Sequence, residues 1–217
     1  MDLPLKLPRP DLRLGGTRMY TGFTSMPTPN PAALDFLLTR RSRPAKTLTA
    51  PAPTRDELEP ILRAAARTPD HGKLEPWRFI VIEQGAMGRL ADLAEVRGKA
   101  LGKDEIDIAK GRGQFDQGIL AVAVIEVQKA SDKIPAIEQT YSAGAVCLAL
   151  LNAALASGWG ANWLTGWVSH DRGFCEDGLG LAENEQIAGF IHIATETVPA
   201  PERPRPDLSA ITEWVER

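Results

Sequence analysis

The chain has 217 residues, 43% hydrophobic and 24% charged, with a net charge of −3 and a pI near 5.7. The length suits one well-filled core, and the composition is that of an ordinary soluble globular protein. The slight acidity excludes a general attraction to nucleic acid or anionic membrane, so any anion site must be local.

Cys147 and Cys175 are the only cysteines and form no CxxC pair, and His71, His170 and His192 are too scattered for a zinc spacing. Two cysteines in a chain of this size fit a reducing compartment, where such residues are usually buried and inert. The longest apolar run, AGAVCLALLNAALA (143–156), is too short to span a bilayer and is interrupted by Asn152. The N-terminus lacks the apolar segment of a signal peptide, so a cytoplasmic location is expected.

Residues 1–30 carry five prolines and little periodicity and read as an irregular arm. Pro31 suits the first turn of a helix with Leu34, Leu37 and Leu38 at helical spacing, expected to end near Ser42, before Pro44. LTAPAP (48–53) is a connector. Thr54 and Glu57 form a capping-box pattern, opening a helix with Leu58, Ile61, Leu62 and Ala65 on one face. WRFIVIE (77–83) reads as a buried strand, followed by a helix around 86–101 and a polar helical segment at 103–117. ILAVAVIEV (119–127) is a strand rich in β-branched residues.

A helix over roughly 138–157 is apolar almost all round, which predicts burial in a core or a subunit interface. GWGANWLTGW (158–167) is a glycine-punctuated turn leading into a short strand. Residues 170–179 read as a helix, QIAGFIHIATE (186–196) as a final strand, and the proline-rich tail as a second arm. Helices and strands mix without regular βαβ alternation, which favours α+β. Neither GxGxxG nor GxxxxGK[ST] occurs, which removes the usual evidence for a Rossmann or P-loop site.

Three stretches could carry chemistry. Arg40, Arg41 and Ser42 close a predicted helix, where cations complement the dipole; two guanidinium forks and a hydroxyl also make a phosphate clamp. RTPDHGKLEPWRF (67–79) gathers Arg67, His71 and Trp77 around turn formers that a plain connector would need alone. It reads as a surface loop or a binding loop, and no acid stands at diagnostic spacing from His71 for a triad. In GWGANWLTG the glycines permit close approach to a flat group, while Trp159, Trp163 and Trp167 could equally pack the core.

Together these stretches resemble the nitroreductase family of flavoproteins, most closely its short YdjA-like branch of NAD(P)H nitroreductases. The resemblance covers roughly Pro31 to Glu196, with a weaker echo in RPDLSAITEW. It implies an α+β nitroreductase-like fold, a central mainly antiparallel sheet flanked by helices, in an intertwined homodimer. Residues 31–196 would form one FMN-binding domain between arms at 1–30 and 197–217. Two flavins would lie at the subunit interface. Arg40, Arg41 and Ser42 would hold the phosphate and ribityl end, with Arg67, His71, Trp163, Leu164 and Thr165 as further flavin contacts. Ala153, Ala154, Leu155, Ala156, Ser157 and Gly158 would meet the nicotinamide nucleotide. A close relative in that branch has arginine where this chain has Leu164, which withdraws a cationic contact there.

The activity implied is oxidoreduction. FMN would take a hydride from NADH or NADPH and pass the electrons to a nitroaromatic, quinone or related small acceptor. Using one flavin face in turn implies ping-pong kinetics. No side chain is assigned as a catalytic proton donor, and no metal is expected. The competing readings are another flavin reaction, such as enone reduction or dehalogenation, with substrate loops at 98–117, and an FMN storage or carrier protein without turnover.

Overall fold

The structure, a computed structural model, describes residues 28–217. The expected N-terminal arm, residues 1–30, lies outside them except for its last three positions. Strands β1 (Leu48–Thr49), β2 (Trp77–Glu83), β3 (Leu120–Val127), β4 (Gly160–Leu164) and β5 (Glu185–Glu196) form one antiparallel sheet. Its order is β1-β5-β3-β2, with β4 also paired to β5.

Both faces are covered, which is why β3 reads as an unbroken apolar run. Leu120, Val122 and Val124 point into a core with α2 (Arg55–Ala65) and α5 (Ala136–Ala156). Ala121, Ala123 and Ile125 point into a second core with α3 (Gln84–Ala100) and α4 (Glu105–Asp116). The expected capping box opens α2: Thr54 accepts from the Glu57 amide, and Glu57 accepts from the Thr54 amide at 2.8 Å. Leu58, Ile61 and Ala65 are buried from that helix.

Helix α5 is core on one face only. Val146, Cys147, Leu150 and Ala154 are fully buried, whereas Ile137, Tyr141 and Leu148 stand exposed on the other face. At 21 residues the helix is long and apolar enough, by length and composition, to cross a membrane, although its apolar run alone is not. Here it lies along α2 and the sheet with one face in the core.

The first helix, α1 (Pro31–Thr39), has no buried residue, and Leu34, Leu37 and Leu38 are all more than half exposed. It ends three residues before the expected Ser42. Arg40 is extended (φ −56°, ψ 143°), and the Arg43 amide donates to the Ala161 carbonyl at 2.8 Å, so the chain leaves the helix to run beside β4. The helix expected over 170–179 is present over residues 172–179, π-type across Phe174–Gly178, after a 3-10 turn (Trp167–Ser169). Asp171 caps its start. Its carboxylate is gripped by Arg97 at 2.7 and 2.9 Å and also accepts from the Phe174 amide. The tail is irregular apart from α6 (Leu208–Ile211).

Candidate active site

The segment leaving α1 places Arg40, Arg41 and Ser42 in the wall of a cavity of about 410 Å³. Asn162 of β4 and Arg203 and Arg205 of the C-terminal tail complete its polar lining. Arg40 donates to Ser42 Oγ at 3.0 Å, and Arg41 donates to Glu202 at 3.0 Å and to the Pro201 carbonyl at 2.6 Å. Glu202 also receives Arg205 at 2.9 Å and the Arg203 amide at 2.9 Å, so one carboxylate gathers the tail against the clamp.

That leaves the cavity rich in unused positive charge. The Nε atoms of Arg40 and Arg41 are buried with no partner among the described residues. Burial, and then the charges of Arg205, Arg41 and Arg43, hold the Arg40 guanidinium below the usual arginine range. Cations this close repel one another unless an anion lies between them. The donors, the shape and the charge fit a phosphate.

Arg67 and His71 belong to a different cavity or to none. Arg67 is exposed at the end of α2 and makes no side-chain hydrogen bond among the described residues. His71 lines an open cavity of about 460 Å³ with Asp70, Glu138, Tyr141 and Ser142, and its Nδ1 lies 2.6 Å from Glu138 Oε2. The loop is fastened from both sides. Ser142 of α5 accepts from Trp77 Nε1 at 3.1 Å and donates to the Pro69 carbonyl at 3.0 Å. Asp70 caps the turn through the amides of Leu74 and Glu75. Gly72, at φ 70°, lies where a Cβ would come within 2.3 Å of Ile134 Cδ1.

Strand β4 carries the third stretch. Asn162 lines the arginine cavity, whereas Trp163, Leu164 and Thr165 line neither cavity. Trp163 lies against Gly189 of β5, where a Cβ would stand 2.1 Å from its Nε1, and that nitrogen is buried without a partner among the described residues. Leu164 is half-buried, and the exposed Thr165 accepts from Gln114 of α4 through its carbonyl at 3.0 Å. Trp167 then packs beside Gly98 and Gly111 and donates to the Asp107 carbonyl at 2.9 Å. The segment 98–117, expected as substrate loops, is therefore mainly the end of α3 and α4, pinned by an indole.

A model of the Nitroreductase family matches residues 37–195, a span that contains the clamp, the His71 loop and β4. The chain belongs to the nitroreductase family. It is 35% identical over 168 residues to "Putative NAD(P)H nitroreductase YdjA" of Escherichia coli (strain K12), covering 77% of this chain and 90% of that protein. A similarly named relative from Haemophilus influenzae is 33% identical over 165 residues, 75% of this chain and 88% of its own length. Among solved structures, a nitroreductase-like protein from Bacillus cereus superposes with a TM-score of 0.68 at 21% identity, over 88% of this chain and all of that one. A "putative nitroreductase in complex with fmn" from Desulfovibrio desulfuricans gives 0.67 at 21% identity, over 86% and 98%. The fold is that of the nitroreductases, as the resemblance implied.

Within this family fold, the stretch 153–158 ends α5. Ala154 is fully buried and offers no face to a ligand, while Ala156, Ser157 and Gly158 are exposed. The other histidines stand apart from the cavities. Burial pushes His192 down to about 4, leaving it neutral, and pushes the Cys147 thiol up to about 12. Sequence reasoning missed Asn162, Glu202, Arg203, Arg205 and Glu138. The alternating prolines and arginines of PERPRP were the available signal, since proline holds a chain extended.

Proposed function

We propose that this protein is an FMN-dependent oxidoreductase that takes reducing equivalents from NADH or NADPH and delivers them to a small acceptor. Nitroaromatics and quinones are the acceptor class we favour. The observation that carries this reading is the cavity lined by Arg40, Arg41, Arg203 and Arg205, four guanidinium groups with one carboxylate, Glu202, among them, an excess of positive charge that suits a phosphate. The FMN of the Desulfovibrio structure and the NAD(P)H in the relatives' names support the choice of cofactor and donor. When bound, FMN supplies the hydride acceptance and electron transfer, and the protein supplies binding and orientation.

In this reading Arg40, Arg41 and Ser42 hold the phosphate and ribityl end, and Arg203 and Arg205 add charge from the tail. The flavin-binding unit thus spans 31–196 together with the start of the C-terminal arm. Trp163, Leu164 and Thr165 continue from Asn162 as the segment along the flavin, and the exposed Ala156–Gly158 remains the nucleotide-facing candidate. Arg67 and His71 lie away from the arginine cavity of their own chain, which supports their reaching the flavin of a second copy. The exposed Leu34, Leu37 and Leu38 of α1, with Ile137, Tyr141 and Leu148 of α5, supply apolar surface for that homodimer. Two free, buried cysteines suit a cytoplasmic enzyme.

An absorbance spectrum of the purified protein, before and after anaerobic NADH or NADPH, tests the reading. Flavin bands that bleach, and return when a quinone or nitroaromatic is added, are expected. Bands that persist with both nucleotides would favour a carrier, and absence of flavin after incubation with FMN would end the proposal. Parallel lines in double-reciprocal plots are the expected sign of ping-pong order.

A further inference from the structure

His71 has one hydrogen-bonding partner among the described residues, Glu138, and the surroundings leave no competitor for that role. Asp70 is the other carboxylate lining the cavity; its Oδ1 is committed to two backbone amides, and neither of its oxygens bonds His71 among the described residues. The Ser142 hydroxyl is committed to Trp77 and Pro69. Tyr141 is exposed and makes no hydrogen bond through its side chain among the described residues. Glu138 sits in the first turn of α5, where the helix dipole favours a carboxylate. Ser142 lies four residues on, so the tether that holds Pro69 and the carboxylate that meets His71 share one stripe of the helix. The loop is thereby set down with its imidazole against Glu138.

We propose that Glu138 is a positioning residue for His71. An ionised carboxylate only accepts, so the ring nitrogen 2.6 Å from it carries a proton. Nδ1 is that nitrogen, and Nε2 is left as the one offered to a ligand in the cavity. The tautomer and orientation of the ring are thus set by α5 before anything binds. The ligand class is a flavin ring edge, which rests on the reading that His71 meets the flavin of a second copy. Neither the family resemblance nor the sequence spacing assigned a role to Glu138. No proton transfer is part of this assignment.

The test has two independent readouts. Nitrogen-15 spectra of the imidazoles in flavin-free protein report the His71 tautomer directly. The Nδ1-protonated form is expected in the wild type and in Glu138→Gln, whose amide oxygen still accepts, and its loss is expected in Glu138→Ala. FMN titration by quenching of flavin fluorescence gives the second readout. Glu138→Ala and His71→Ala should each weaken FMN binding by about threefold to tenfold, the worth of one net hydrogen bond. Glu138→Gln should stay within about twofold of the wild type. An unchanged tautomer in Glu138→Ala overturns the positioning role, as does a changed tautomer with unchanged FMN affinity. Wild-type protein that binds no FMN overturns the flavin reading instead, and the tautomer spectrum then still decides the His71–Glu138 pair by itself.

Discussion

The cavity beside α1 gathers Arg40, Arg41, Arg203 and Arg205 around one carboxylate, Glu202, whereas the cavity beside α5 sets a single histidine against a single carboxylate on a fastened loop. In the first, buried guanidinium nitrogens go unpartnered and like charges crowd together. In the second, Ser142 satisfies Trp77 and Pro69, Asp70 accepts from the amides of Leu74 and Glu75, and the loop has its shape without a ligand. One region is built to gain energy from an anion, and the other is built to be already in place. Removing a side chain should therefore act on affinity in the first, and on stability in the second where the side chain fastens the loop, with only the smaller loss of affinity expected for His71 and Glu138.

The largest effect is expected from Arg40→Ala and Arg41→Ala. Each removes charge-assisted donors, worth about 1.5–3 kcal/mol, so FMN affinity should fall by about tenfold to a hundredfold. Fluorescence titration at low and high salt measures it. Affinity unchanged in both variants would detach the phosphate from this cavity and dissolve the contrast.

Ser142→Ala addresses the other side. It strands the half-buried Trp77 Nε1 and the Pro69 carbonyl, and should cost about 1–3 kcal/mol of stability in urea unfolding. The phosphate cavity should be nearly indifferent. A loss of FMN affinity as large as that of the arginine variants would show that the two regions are not separable.

A smaller, pH-dependent effect is expected just beyond that loop. Arg78 follows Trp77 on β2 and grips Glu185 at the start of β5 with two bonds, at 2.7 and 2.8 Å. The Arg78 guanidinium holds the Glu185 carboxyl down to about 2 from an ordinary 4.5. A depressed carboxyl contributes stability that is complete above 4.5 and is lost as pH falls toward 2. Glu185→Gln should lower stability at neutral pH by about 1–2 kcal/mol, allowing for solvent around the half-exposed Arg78. It should also flatten the acid limb of the unfolding curve over that window. An unchanged acid limb would remove this pair from the devices that hold the loop and its strand.

The same contrast shows what could be read from sequence. Strand β2 occupies the expected 77–83, and the Thr54–Glu57 box caps α2, because periodicity and capping are local properties. Arg40–Ser42 and His71 were picked out by residue type in the right order. Their surroundings were not. Glu202 lies 161 residues from Arg41, and Glu138 lies 67 from His71, so neither pairing has a sequence signature. The tail reads as a plain arm because nothing local shows that Arg203 and Arg205 fold back on the segment after the first helix. The end of α1 was misplaced for a related reason: Arg43 leaves the helix to bond β4, a tertiary contact that overrides the helical pattern.

The finest test of the comparison is Glu202→Gln. The Arg203 amide, and then Arg205 and Arg41, hold the Glu202 carboxyl below its usual range, so it is charged wherever the protein would work. In the proposed reading it is an internal anion that would compete with the FMN phosphate for the same guanidinium groups. Neutralising it should tighten FMN binding by no more than about fivefold, because an exposed pair is well screened by solvent. The gain should disappear near 1 M salt, where screening acts within about 3 Å. Weaker binding in the variant would instead mean that Glu202 serves chiefly to draw Arg205 and the tail toward Arg41. The arginine cavity would then depend on prior ordering as the His71 loop does, and the difference between the regions would lie in charge alone.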